Sequence, residues 1–542
     1  MGFIDHKKGQ ESKPEEMNTR ANEQELRQAM AAFAQRFSSG NYSTENHAAE
    51  NYAGANYSAE NYAGANYATA NYAGANYSTA NYSAESAAAA QDGYSDDDEL
   101  KYTLDDMGNA RRLVDMFGAG IRYCFIDKEW LCYNGLRWCP DNDGTIDRYI
   151  DAAVDSMDGE FAVYAQTHGD RSDEAKNFKK HIRSSRSHRG REAAKKVACH
   201  HVPVLPNELD RYKMALNTPS GMVNLQNGEL SESKPEYFFT KLTAAPYVKD
   251  APCPQWEKFL GEIFGGDKDL IRYVQKAVGY SLTGSTAEEC AFFLYGTGRN
   301  GKSTFLDIVR CALGDYAANI QPETIMVRNM AGNHINSDIA RLKGARFVTS
   351  VEPNEGLRLN EGLLKQLTGE DMVTARKLFC SEFEFIPEFK LWLTTNHKPV
   401  IRGTDEGIWR RVHLIPFTVQ IPIEKVDKDL RTKLRSELPG ILRWCIDGGI
   451  MWQKEGLTMP RAVIDSVKEY RREMDVVSAF IEDKCELSGA IQSSTLYAAY
   501  SDWAEINNEF RLSATKFSME LKKRGFEKMK AHGIVYFNGI SL

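Results

Sequence analysis

Gly296-Thr297-Gly298-Arg299-Asn300-Gly301-Lys302-Ser303 decides the reading of this chain. It meets the spacing G-x-x-x-x-G-K-[ST] at every position. Ala291-Phe292-Phe293-Leu294-Tyr295 leads in as an apolar strand, and Thr304-Phe305-Leu306-Asp307-Ile308-Val309-Arg310 leads out as the start of a helix. Glycines let backbone N–H groups turn inward around phosphate oxygens, and a helix N-terminus adds positive potential. Lys302 is therefore expected to bridge the β- and γ-phosphates of ATP, and Ser303 to ligate Mg2+. Gly296, Thr297, Gly298, Arg299, Asn300, Gly301 and Thr304 complete the expected nucleotide site. A chance glycine turn would lack the flanking strand and helix.

Working outward, residues 250–455 alternate strands and helices, the pattern of an α/β domain. Arg346-Phe347-Val348-Thr349-Ser350-Val351-Glu352 reads as a strand ending in a carboxylate, and Glu355 follows. An acid there would reach Mg2+ or the attacking water. A second apolar strand, Phe389-Lys390-Leu391-Trp392-Leu393-Thr394-Thr395-Asn396, ends in an amide that could orient that water. Trp409-Arg410-Arg411 precedes a further strand, Val412 to Phe417. Either arginine fits a finger that reaches a neighbouring subunit's ATP; the alternative is a local salt bridge.

The flanks are less specific. Residues 102–245 mix helical and strand patterns around a basic run from Lys176 to Lys196, in which nine cations face one acid, Glu192. Its spacing near three puts much of it on one helix face, suited to nucleic acid or to solvent. Residues 465–542 read as three helices and a hairpin, the shape of a winged helix. Ser513 caps the third helix, which runs to Arg524, and Asn538-Gly539 marks the expected turn. Residues 1–40 are polar, with Leu26, Met30, Phe33 and Phe37 forming one possible docking stripe. Residues 41–85 repeat Asn-Tyr-x-x-x every five residues and lead into the acidic Asp96-Asp97-Asp98-Glu99. The bulky Tyr argues against a stacked β-helix, so a disordered tether is expected.

Composition bounds the whole. In 542 residues, 42% are hydrophobic, enough for several domains, and the net charge of −8 excludes a uniformly basic coat but not a local basic channel. No run of about 18 apolar residues occurs, so no membrane span is expected. Ten cysteines without a CxxC pair fit buried, reduced thiols in a cytosolic protein.

The phosphate loop, Glu352, Asn396 and Trp409-Arg410-Arg411 occur in an order that resembles superfamily 3 helicases of the phage and plasmid primase–helicase family, the group that includes the poxvirus primase–helicase. The resemblance is closest over Leu359 to Asp371, Thr395 to Pro399 and Ile401 to Arg411. It extends to Asp106–Leu113 and Leu216–Leu225 upstream, and to Leu496–Trp503 and Gly539-Ile540 downstream. Beyond the polar segment 1–40 and the disordered repeat and acidic linker 41–100, it implies a mixed α/β helicase-associated domain at 101–248, an AAA+-like α/β core at 249–460 and a winged helix at 465–542. It further implies a ring, commonly a hexamer, that hydrolyses ATP between subunits and moves 3′ to 5′ on single-stranded or forked DNA. Lys302, Glu352, Glu355, Asn396, Arg410 and Arg411 would be catalytic, with Ser303 and Glu352 at the metal. A hairpin at Met372 to Phe379 would put Arg376 and Lys377 on DNA phosphates. Residues 1–100 show no carboxylate cluster suited to nucleotidyl transfer, so a separate primase is the expected collaborator, in the cytoplasm of a bacterial host. Two other readings stay open: an origin-melting initiator whose Lys516, Lys522, Lys523 and Arg524 bind duplex DNA, and a scaffold ring in which nucleotide is only structural.

Overall fold

The computed structural model describes residues 100–327, 337–351, 356–376, 382–403, 405–507 and 509–542. The expected docking stripe, the Asn-Tyr repeat, Glu352, Glu355 and Lys377 lie outside the described residues.

The chain first forms α1 (Asp106–Phe117), strands β1 (Ile121–Cys124), β2 (Glu129–Tyr133) and β3 (Trp138–Pro140), then α2 (Thr145–His168), α3 (Asp173–Ser185) and α4 (His188–Ala198). Asp105 caps α1 by accepting the Gly108 N–H at 2.8 Å. Leu113, Ile150, Val154 and Phe178 fill the space between the helices. The single basic face expected between Lys176 and Lys196 does not form. Ser187 starts a new helix by accepting the Gly190 N–H, which splits the run between α3 and α4. Three of its nine cations meet a row of acids on α2: Arg191 bonds Asp151 at 2.7 Å, Lys195 bonds Asp147 at 2.5 Å, and Arg186 bonds Asp155 and Asp158. Those aspartates recur at helical spacing, so they line one face of α2. Strands β4 (Ala215–Thr218), β5 (Gly221–Asn224) and β6 (Leu230–Ser231) then form a separate antiparallel sheet.

The central part runs α5 (Pro254–Ile263), α6 (Lys268–Ser281), β7 (Ala291–Tyr295), α7 (Lys302–Leu313), β8 (Ala317–Ile320), α8 (Ser337–Ala340), β9 (Phe347–Val351), α9 (Glu361–Thr368), β10 (Val373–Arg376), β11 (Glu382–Phe385), β12 (Lys390–Thr395), α10 (Glu406–Trp409), β13 (Val412–Pro416), α11 (Leu430–Ser436) and α12 (Leu438–Glu455). β13, β7, β12, β9 and β8 lie side by side in that order, every pairing parallel. A parallel sheet covered on both faces needs strands that are apolar on both sides, and all six residues of β12 are buried. Trp392 lies against Phe292 (ring centroids 4.3 Å apart) and Phe347 (5.2 Å), and Phe305 of α7 reaches the same cluster. Each such burial is worth roughly 1.5–3 kcal/mol. Two buried cations tie the sheet to its surroundings. The guanidinium of Arg346 donates to the carbonyls of Ala215, Leu282 and Tyr212, and the ammonium of Lys390 donates to those of Thr283, Ser285 and Glu388. Burial depresses the Lys390 pKa well below its usual value.

The C-terminal part comprises α13 (Arg461–Glu473), α14 (Val476–Lys484), β14 (Ala490–Gln492), α15 (Ser493–Ile506), α16 (Ala514–Lys523), β15 (Glu527–Ala531) and β16 (Ile534–Asn538). α16 is capped by Ser513 as expected. The hairpin differs from expectation. β15 and β16 turn at His532-Gly533, and β14 adds a third strand beside β16. Asn538-Gly539 instead leads out of β16, where the Gly539 N–H bonds the Gly489 carbonyl and Ser541 bridges to Glu486.

Candidate active site

The segment Gly296–Gly301 joins the C-terminal end of β7 to the N-terminus of α7. Gly301 has φ +84° and closes against α5: a Cβ there would lie 2.5 Å from Ile263 Cγ2. Asn300 is 2% exposed and donates from Nδ2 to the Phe417 carbonyl at 3.2 Å, which fastens the loop to the end of β13. Gln420 Nε2 donates to Thr297 Oγ1 at 2.9 Å, and the Ile421 N–H bonds the Arg299 carbonyl.

Lys302 is 3% exposed, and its ammonium rests on oxygens from two strands. Nζ donates to the Gly296 carbonyl at 2.5 Å, to Asn300 Oδ1 at 3.1 Å and to Asn396 Oδ1 at 3.1 Å. Asn396 follows β12, the strand that pairs with β7, so adjacent parallel strands deliver both side chains to the same C-terminal end of the sheet. The structure thus brings together Lys302 and Asn396, 94 residues apart. Ser303 lies exposed in the first turn of α7. Glu262, Lys258, Arg299, Lys425, Asp427 and Arg431 help line a cavity of about 450 Å³ beside Gly301 and Thr304. No sequence signal pointed to this cavity.

Arg410 and Arg411 are not part of this cluster. They precede β13, which runs parallel to β7 in the register Val412–Ala291 to Pro416–Tyr295. The loop and the arginines therefore occupy opposite ends of one strand pair, separated by about 13 Å of strand at ~3.3 Å per residue. Both guanidiniums meet Glu289, at 2.9 Å from Arg411 and closer from Arg410, so the local salt bridge does exist. Glu289 had no sequence signal. Nearby, His413 is buried with Nδ1 2.5 Å from the Tyr273 hydroxyl. Burial pushes its pKa down to about 4, partly offset by a hydrogen bond to the Arg410 backbone.

The remaining candidates separate. β10 and β11, which follow β9 and precede β12 in sequence, pair antiparallel, and Arg376 stands opposite Glu382 in the last pair before the segment that joins the two strands. On α16, Lys516 and Lys522 face solvent, whereas Lys523 pairs with Glu520. Arg524 is tied to Asp475 and Glu520, which fasten the end of α16 to the start of α14. Among the described residues, no group of three or more His, Cys, Asp or Glu side chains is placed to hold a metal ion, and no helix is long and apolar enough to cross a membrane.

Three stretches match known families: residues 110–265 match "D5 N terminal like", residues 294–411 a "Family of unknown function (DUF5906)", and residues 472–538 "Poxvirus D5 protein-like". A putative helicase of Acanthamoeba polyphaga mimivirus is 27% identical over 330 residues, 56% of this chain and 34% of the relative. A putative helicase of Frog virus 3 is 27% identical over 282 residues, 47% of this chain and 28% of the relative. A putative primase of African swine fever virus is 26% identical over 352 residues, 58% of this chain and 36% of the relative. The chain spans about a third of the length of these curated relatives. The solved apo structure of the NrS-1 C-terminal region is 12% identical and covers 81% of this chain and 100% of that one, with a TM-score of 0.45.

Proposed function

Because the chain belongs to the poxvirus D5-like primase–helicase family, we propose that it is an ATP-driven DNA helicase that works in replication as a hexameric ring moving 3′ to 5′. The observation that carries this reading is the meeting of Lys302 and Asn396 at one end of the strand pair whose other end bears Arg410 and Arg411. A nucleotide held at Lys302 lies beyond the reach of the same subunit's arginines, so a complete hydrolytic site needs a second subunit.

The residues fit the substrate and its metal. Gly296–Gly301 and the start of α7 form an anion cradle, Lys302 supplies a buried cation, and the Ser303 hydroxyl is exposed where Mg2+ would accompany the phosphates. Bound Mg2+ would offset charge on the β- and γ-oxygens, with Glu352 as its proposed second protein ligand. Asn396 orients water on the γ-phosphate side, and Glu355 is a further acid for that water. The cavity beside Thr304 receives the nucleoside end. The hairpin of β10 and β11 carries Arg376, with Lys377 beyond it, toward the DNA strand, where contacts to phosphates give sequence-tolerant binding. The C-terminal helices and three-stranded sheet act as a winged helix, and Lys516 and Lys522 are its free-facing duplex contacts. The domain limits follow as 101–248, 249–460 and 465–542. The named relatives belong to viruses of eukaryotes, and they lend no support to a bacterial host.

Strand displacement on forked DNA, with and without candidate origin sequences, tests the reading. Comparable ATP-dependent unwinding of any fork supports the helicase. Unwinding only beside one sequence would replace it with an initiator, and assembly without turnover would leave a scaffold ring.

A further inference from the structure

The two arginines share one carboxylate, but they are not equivalent. The Arg411 side chain is 11% exposed. It donates to the Gly407 carbonyl at 2.8 Å as well as to Glu289, and its own carbonyl accepts the Ala291 N–H at 2.7 Å. Arg411 is thus built into the join between α10 and β7. The Arg410 side chain is 60% exposed, and its head rests on Glu289 from the solvent side.

Glu289 is itself held in place. Its φ of +46° is a left-handed conformation unusual for a side chain with a Cβ. Its N–H bonds the Thr286 carbonyl at 2.9 Å. The adjacent Glu288 accepts from Trp452 Nε1 at 2.6 Å, and its N–H donates to the Tyr280 hydroxyl at 3.3 Å. This turn enters β7, whose other end is the Gly296 loop. The carboxylate and the phosphate-binding loop are therefore fixed to the two ends of one buried strand.

Resting on the intersubunit reading above, we propose that Glu289 is a positioning residue that presents Arg410 to the neighbouring subunit's γ-phosphate while Arg411 serves as its buttress. An exposed ion pair exchanges partners at little cost. Arg410 leaves Glu289 when a neighbour's phosphate arrives and returns after phosphate departs, so the guanidinium is oriented before each encounter. Arg411, enclosed and bonded on two sides, stays where it is.

The experiment measures DNA-stimulated ATP turnover by the full chain with Glu289→Gln, Arg410→Gln and Lys302→Ala, alone and in mixed rings. Glu289→Gln is expected to lower kcat at least about fivefold while KM for ATP changes less than about twofold, because orientation of the transition-state charge is lost and not substrate binding. Mixing it with Lys302→Ala subunits, whose sites are dead but whose Glu289 and Arg410 are intact, is expected to restore turnover at the Glu289→Gln sites. A purely structural defect is not repaired by a neighbour. Wild-type kcat in Glu289→Gln, or no gain on mixing while Arg410→Gln does gain, overturns the role of Glu289 and leaves the intersubunit site standing. No gain for either variant overturns the intersubunit reading itself. If Glu289→Gln fails to assemble, Arg410→Gln carries the test: lowered kcat repaired by mixing supports Arg410 as the presented arginine, and wild-type turnover refutes it.

Discussion

Replacing Gly301 with alanine probes how the phosphate-binding loop is built. Two costs can be read from the structure. With φ at +84°, a Cβ is strained by about 1–2 kcal/mol. The added carbon would also lie 2.5 Å from Ile263 Cγ2 and 3.2 Å from the Phe259 ring, both buried side chains of α5 that have little room to yield. Overpacking of this kind costs about 1–3 kcal/mol. The total of about 2–5 kcal/mol is relieved most directly if the loop withdraws from α5, which moves Lys302 away from Gly296 and Asn396. Gly298 provides the control. Its φ is +100°, but a Cβ there meets no atom within 4 Å, so Gly298→Ala bears the conformational cost alone. Thermal melting without nucleotide should show Gly301→Ala clearly less stable than Gly298→Ala. Titration with a fluorescent ATP analogue should show at least about a tenfold loss of affinity for Gly301→Ala, the equivalent of ~1.4 kcal/mol. Equal melting of the two variants, with affinity unchanged in Gly301→Ala, would refute the reasoning.

His413 predicts acid sensitivity. Its folded pKa of about 4 lies below the unfolded value of 6.5, so the unfolded chain takes up a proton first and stability is lost as pH falls from about 6.5 toward 4. At ~1.4 kcal/mol per pH unit between these two values the loss is about 3–4 kcal/mol, and a denaturant series across this range on His413→Phe should show a shallower slope than wild type. Arg524→Ala should destabilise the C-terminal part by about 1–3 kcal/mol, because Asp475 and Glu520 lose a partly buried partner. Double substitution of exposed Lys516 and Lys522 should leave melting unchanged and weaken duplex binding, with a smaller salt slope; unchanged binding would remove α16 from the interface.

Where local pattern and tertiary packing agree, the sequence was informative. β7, the turn and α7 follow directly from an apolar run, closely spaced glycines and a helical stripe, and the strands ending at Val351, Thr395 and Pro416 are short, largely buried segments that fit a parallel sheet covered on both faces. The approach of Asn396 to Lys302 is a consequence of that sheet order. The errors arose where partners are distant in sequence. Arg186, Arg191 and Lys195 looked unopposed because their acids lie on α2, although Asp147, Asp151, Asp155 and Asp158 already show helical spacing. β15 escaped notice because Glu527-Lys528-Met529-Lys530-Ala531 is exposed throughout and has no apolar face. Glu289 is one acid in a turn, and its meeting with Arg410 and Arg411 comes from the β7–β13 pairing.

The central claim is that nucleotide held by Lys302 is hydrolysed to move DNA. DNA-stimulated ATP turnover by Lys302→Ala, compared with wild type at matched ring assembly, tests it most directly. On that claim, removing the buried ammonium of Lys302 should lower turnover by about a hundredfold or more. Undiminished DNA-dependent turnover in a correctly assembled Lys302→Ala protein would contradict the account.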